Sequence, residues 1–99
     1  MSEATITKKT KDSIHGVTSN GFEFDVKKDV MDNAEFMEVL EEAADDMPSY
    51  RKIGRMLLGD EQKKKMYDFF RTEDGRVPLE PVDTAIIEII GATTDGKNS

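Results

Sequence analysis

The chain has 99 residues, a length that suits one domain and excludes a large multidomain enzyme. Its 21 acidic and 14 basic residues give a net charge of −7, which repels phosphate backbones and anionic lipids, so we expect neither nucleic acid nor membrane as a partner. With no cysteine and one histidine, the sequence predicts no metal site and no cofactor, and its disulfide-free acidic composition favours a cytoplasmic location.

The N-terminal part combines a polar segment with a predicted hairpin. Residues 1–12 show no apolar periodicity and are predicted to form a flexible arm. Between residues 13 and 26, apolar side chains flank Asn20-Gly21, a dipeptide that tolerates the positive φ of a tight turn. Apolar and acidic residues then alternate over residues 22–26. The sequence therefore predicts a β-hairpin over residues 13–26.

Apolar residues recur at steps of three and four from residue 33 onward, which is typical of helices. The first predicted helix starts after Asp32 as N-cap and ends at Pro48. Ser49 is predicted to cap a second helix, and Gly59 to end it in a left-handed conformation.

A third helix is predicted to open at Asp60, and a fourth at Pro81 or the preceding Glu80. The expected fold is mainly α, in the α+β class: a small bundle of about four helices over residues 33–90 with an N-terminal β-hairpin. One compact domain would cover residues 13–91, and residues 92–99 would form a flexible tail.

Two patterns that suggest catalysis or metal binding are weak. Asp25, Asp29 and Asp32 have helical spacing but lack the glycine-bearing loop of a calcium site. Ser13 and His15 would lie on one side of a strand, yet a hairpin edge supplies neither an orienting third group nor an oxyanion site. We therefore expect a protein that is not an enzyme.

The charges are segregated along the chain. Every charged residue from Asp32 to Asp46 is acidic, whereas bases crowd residues 51–71. Such faces can join two copies, or they can screen each other within one monomer, and the sequence favours neither alternative. The candidates for self-association are Glu38, Glu41, Asp45, Lys63, Lys64 and Lys65.

Methionine is frequent in and beside the predicted helices. Its flexible side chain suits surfaces that adapt to apolar partners, although gap filling in the core is the commoner use. Leu58 follows Leu57 and is expected to face outward. The candidates for partner binding are Met37, Met56, Leu58 and Met66.

The order of several short segments resembles the tail assembly chaperones of long-tailed bacteriophages and prophages. The resemblance covers about residues 21–91 and includes FEFDV, the DVMDN turn before an acidic helix, LLGDEQ, a Gly-Arg-Val-Pro turn and a terminal apolar helix. The resemblance implies a small, mostly helical protein without catalytic residues or metal. Such a protein binds the long, helix-rich tape measure protein in the bacterial cytoplasm, helps recruit tail tube subunits and self-associates.

Two other functions compatible with the sequence remain open. In an acidic inhibitor that mimics nucleic acid, Glu35, Glu38, Glu42 and Asp45 would imitate a row of phosphates. A small phage-encoded adaptor that binds other proteins is the other alternative.

Overall fold

The N-terminal third of the chain forms an antiparallel sheet in the computed structural model, which describes residues 3–43 and 46–95. Strands β1 (Thr5–Lys9), β2 (Ser13–Val17) and β3 (Glu23–Lys27) pair in chain order, so β2 is central. β2 and β3 form the predicted hairpin. Gly21 has a φ of 94° in their connecting loop, and its N–H donates to the carbonyl of Thr18 over 3.0 Å. The turn thus depends on the residue that tolerates positive φ.

β1 lies inside the segment predicted as a flexible arm. Its sequence, TITKK, contains one apolar residue, but its β-branched Thr and Ile favour an extended backbone. The strand pairs with β2, with a register shift between Ile6 and Lys8. Opposite Ile6 is Gly16, where a Cβ atom would lie 2.7 Å from both the Phe24 ring and the Thr5 carbonyl oxygen. Only glycine therefore allows this close packing.

The prediction of a four-helix bundle is wrong. The described residues form three α-helices beside the three-stranded sheet, an α+β fold: α1 (Ala34–Ala43), α2 (Met47–Phe70) and α3 (Leu79–Asp95), with a 3-10 helix at Lys28–Asp32 before α1. The difference arises at Gly59. This residue has the predicted positive φ, 75°, but the helix resumes directly after it, so the predicted second and third helices are the two halves of a kinked α2.

The first two helices are capped by residues other than the predicted ones. Asn33, and not Asp32, caps α1, where its side-chain oxygen accepts from the N–H groups of Glu35 (2.9 Å) and Phe36 (3.2 Å). Asp46 caps α2 by accepting from the Ser49 N–H over 3.1 Å. Pro48, predicted to end a helix, lies in the first turn of α2, where a missing N–H costs nothing.

The core lies between the sheet and the helices. Its largest fully buried side chains come from β3 and the three α-helices: Val26, Phe36, Ile53, Met66 and Ile89. A paired hydrogen bond from Arg51 to Asp83, with distances of 2.9 and 3.0 Å, joins α2 to α3. The hydrogen bond with Asp83 raises the pKa of Arg51 above its ordinary value.

The C-terminal helix extends beyond its predicted end. α3 continues to Asp95, within the segment predicted as a tail, whereas residues 96–99 and Asp45 lie outside the described residues. No helix in the described ranges combines the length and apolar character that crossing a bilayer would require.

Candidate functional site

A groove of about 810 Å³ opens between the sheet and the middle of α2. The sheet contributes residues from all three strands, and α2 contributes one side chain from before its kink and three from after it. The lining includes, among others, Lys8, His15, Phe24, Asp25, Lys27, Leu58, Glu61, Gln62 and Lys65. Its ionisable residues carry both signs, and Lys65 pairs with Glu61 over 3.9 Å on the surface of the helix. We call this feature the β3–α2 groove.

One side chain joins the two walls of the groove. The Gln62 side-chain oxygen accepts from the backbone N–H of Asp25 over 2.8 Å, and its NH₂ group donates to the backbone carbonyl of the same residue. A carboxamide has the same donor and acceptor as a peptide group. Gln62 therefore occupies the hydrogen-bonding position that a neighbouring strand would take at this edge of the sheet.

The Asp25 side chain lies on the outer face of the sheet, opposite His15 of β2. The His15 Nδ1 is 3.6 Å from the Asp25 Oδ1, too far for a hydrogen bond. This oxygen is shielded from solvent and has no hydrogen-bond partner among the described residues. An unsatisfied carboxylate oxygen is costly, so the groove has an acceptor that a ligand with an N–H or O–H could satisfy.

Three aromatic rings pack together where the end of α2 meets the hairpin. The Phe22 ring centroid lies 5.8 Å from that of Phe69 and 6.3 Å from that of Phe70, and the two helix rings are 5.0 Å apart. Phe69 is 53 % exposed. Because Phe22 also lines the β3–α2 groove, this cluster of three rings lies beside the groove.

The four candidates for partner binding occupy two kinds of environment. Leu58 is 6 % exposed and Met66 is 1 % exposed, and both belong to the core. Met66 therefore presents no surface, and Leu58 presents only the small part that lines the groove. Met37 and Met56 are half-buried against the core. The groove brings Leu58 together with residues that were not predicted as a site, above all Gln62 and Asp25.

The candidates for self-association are largely exposed. Glu38 and Glu41 on α1 are exposed, and neither forms an ion pair with a base in the described part of the chain. On α2, Lys64 is exposed, whereas the Lys63 Nζ lies 5.9 Å from the centroid of the Tyr67 ring. Lys65 pairs with Glu61, and Asp45 lies outside the described residues.

Within residues 3–43 and 46–95, no group of three or more His, Cys, Asp or Glu residues is placed to hold a metal ion. Comparison of the chain with protein-family models, with curated proteins and with solved structures finds no match. The geometry of the groove and the resemblance of the short segments are therefore the basis for a functional proposal.

Proposed function

We propose that this protein is a phage tail assembly chaperone without enzymatic activity, which binds the tape measure protein and aids recruitment of tail tube subunits. It acts in the cytoplasm of the bacterial host as a homo-oligomer. Its binding surface for the tape measure protein includes the β3–α2 groove.

The observation that carries this proposal is the contact between two of the segments that resemble the chaperone family. FEFDV contributes Asp25, and LLGDEQ contributes Gln62, which hydrogen-bonds both backbone groups of Asp25. The two residues are 37 positions apart in the sequence, yet both line one groove. Segments that carry a resemblance and also line a concave surface are expected to bind a partner.

Co-expression with the tape measure protein encoded by the same genome tests the proposal. We expect the tape measure protein to be insoluble alone, because its apolar helix faces would aggregate, and to become soluble and co-purify with this chain. A tape measure protein that stays insoluble with the chain present, or is soluble without forming a complex, would contradict the proposal.

Matched charge variants locate the surface used. Lys27→Glu with Lys65→Glu changes two exposed residues of the groove, and Lys52→Glu with Arg55→Glu makes the same change in net charge at exposed positions outside its lining. We expect the first pair to lose co-purification and the second to keep it. Equal loss in both would indicate that general charge, and not the groove, holds the partner.

The acidic inhibitor remains a second candidate because of the surface of α1. Glu35, Glu38 and Glu42 are exposed and follow helical spacing, so their carboxylates lie along one side of the helix. Binding to a basic nucleic-acid enzyme, with competition by DNA and loss in Glu38→Gln with Glu42→Gln, would support the inhibitor over the chaperone.

A further inference from the structure

The outer edge of β3 has backbone groups available for a further strand. In an antiparallel pair, successive residues direct their N–H and C=O groups alternately toward and away from the partner. Phe22 accepts from the Thr18 N–H and Lys28 donates to the Asp12 carbonyl, so the even-numbered residues of this strand face β2. The groups of Glu23, Asp25 and Lys27 therefore point outward into the groove.

Of these three residues, Asp25 alone has its outward groups satisfied within the described chain, and Gln62 provides both bonds. The Lys27 carbonyl accepts the first hydrogen bond of the 3-10 helix that follows, because Lys27 is its N-cap. In the described part of the chain, no hydrogen bond is formed to the outward N–H of Lys27 or to the outward groups of Glu23. A strand beside β3 would replace the two bonds of Gln62 and add bonds at the residues on either side. The exchange thus increases the number of backbone hydrogen bonds.

The charges along this edge favour one type of sequence in the added strand. Glu23 and Asp25 lie toward one end and Lys27 lies at the other, on the outer face of the sheet. An antiparallel strand with an acid opposite Lys27 and bases opposite Asp25 and Glu23 would meet each with the opposite charge. The base opposite Asp25 would also supply a donor for its unsatisfied Oδ1.

We propose that the β3–α2 groove binds an extended segment of a partner protein as a fourth strand of the sheet, with the Gln62 side chain swinging aside to admit it. The inference rests on the proposed function in that it takes the partner to be a protein. It adds that the bound segment is extended, is held by its backbone, and carries an acid followed by two bases at alternate positions.

A synthetic peptide with this pattern, acetyl-Thr-Glu-Val-Lys-Val-Lys-Thr-amide, tests the mode of binding by NMR at millimolar concentration. We expect hydrogen exchange of the Glu23 and Lys27 amides to slow, while the Phe24 and Val26 amides, already bonded to β2, stay unchanged. The same peptide N-methylated at its central lysine lacks the donor to Asp25 and should bind weakly. Changes confined to other residues, no change at all, or equal binding of the methylated peptide would overturn the inference.

Variants of Gln62 test whether its side chain competes with the peptide. Gln62→Met keeps the length of the side chain but makes no bond to the edge, so we expect the peptide to bind about fivefold more tightly. Lys64→Met, an exposed neighbour outside the groove lining, is the control and should leave the affinity unchanged. Equal affinity of Gln62→Met and the unaltered protein for the peptide would show that the Gln62 side chain does not compete with the peptide for the edge of β3.

The outcomes separate this inference from the proposed function. If the tape measure protein binds but leaves the exchange of Glu23 and Lys27 unchanged, the fourth-strand mode is wrong and the chaperone proposal stands. If the peptide binds at β3 and the tape measure protein does not bind, the groove is a peptide site and the chaperone proposal fails.

Discussion

Gly54 of α2 lies so close to Ile86 of α3 that a Cβ atom on Gly54 would come within 3.0 Å of the Ile86 side chain. Both residues are buried, and the absence of a side chain at Gly54 lets the two helices approach closely. Glycine in a helix lowers stability by about 1 kcal/mol relative to alanine, and here the close packing of the two helices offsets this cost. The contact fixes where α3 crosses the first half of α2.

Replacing Gly54 by leucine should lower the free energy of unfolding by about 1–3 kcal/mol, because the new side chain would force α3 away from α2. Gly91→Ala is a control for replacing a helical glycine, since a Cβ atom there would meet nothing within 4 Å beyond its chain neighbours and its own helix backbone. That change should raise stability by roughly 0.5–1 kcal/mol through helix propensity. Urea unfolding measures both, and a stable Gly54→Leu protein would refute the close crossing.

Glu88 is a buried acid, 6 % exposed, that holds the loop between β2 and β3 against α3. Its carboxylate accepts from the Ser19 N–H over 2.6 Å and from the Ser19 hydroxyl. In Glu88→Ala both hydrogen bonds from Ser19 to this charged acceptor are lost, at a cost of about 1.5 kcal/mol, because Ser19 is exposed and water can replace part of the interaction. Glu88→Gln keeps one acceptor oxygen and should cost less. Chemical denaturation ranks the two variants, and equal stability of all three proteins would contradict this role.

Asp74 organises the turn between α2 and α3. Hydrogen bonds from the Thr72 hydroxyl and the Arg76 N–H hold the pKa of Asp74 below its ordinary value. Because the pKa is lowered in the folded state, the carboxylate stabilises the turn above the unfolded pKa, and this stabilisation is lost as the pH falls through the folded pKa. An NMR titration should place the Asp74 midpoint below that of an exposed aspartate, and Thr72→Val should raise it. An unchanged midpoint in the variant would disprove the assigned cause.

Local signals in the sequence predicted some elements of the fold but not their long-range pairing. The Asn20-Gly21 turn and the alternation after it identified β2 and β3, and the apolar period of 3.6 identified α3. β1 escaped prediction because its pairing with β2, and not its own apolar content, stabilises it. The positive φ of Gly59 was foreseen, but a glycine in that conformation can either end a helix or kink it.

The groove was not foreseen for a related reason. Its central hydrogen bond joins Gln62 to Asp25 across 37 positions. No pattern in the sequence indicates that these two residues contact each other. From sequence alone, a glutamine on a helix is predicted to face solvent, because the strand edge packed beside it is not known. Leu58 was predicted to face solvent because the sequence alone does not show how α2 packs on β3. The kink at Gly59 and this packing place Leu58 in the core.

The unpaired charges of α1 and α2 predict self-association that depends on salt. Glu38 and Glu41 lack ion-pair partners among the described residues, and Lys64 is exposed on α2. We therefore expect the acidic face of one copy to attract the basic face of another at low ionic strength. The Debye length falls from about 10 Å at 0.1 M salt to about 3 Å at 1 M, so the average mass in light scattering should fall toward that of the monomer. Lys64→Glu should weaken association more than Lys11→Glu, which makes the same charge change on the loop after β1. A monomeric mass at high protein concentration and low salt, or an equal effect of both variants, would rule out pairing through these faces.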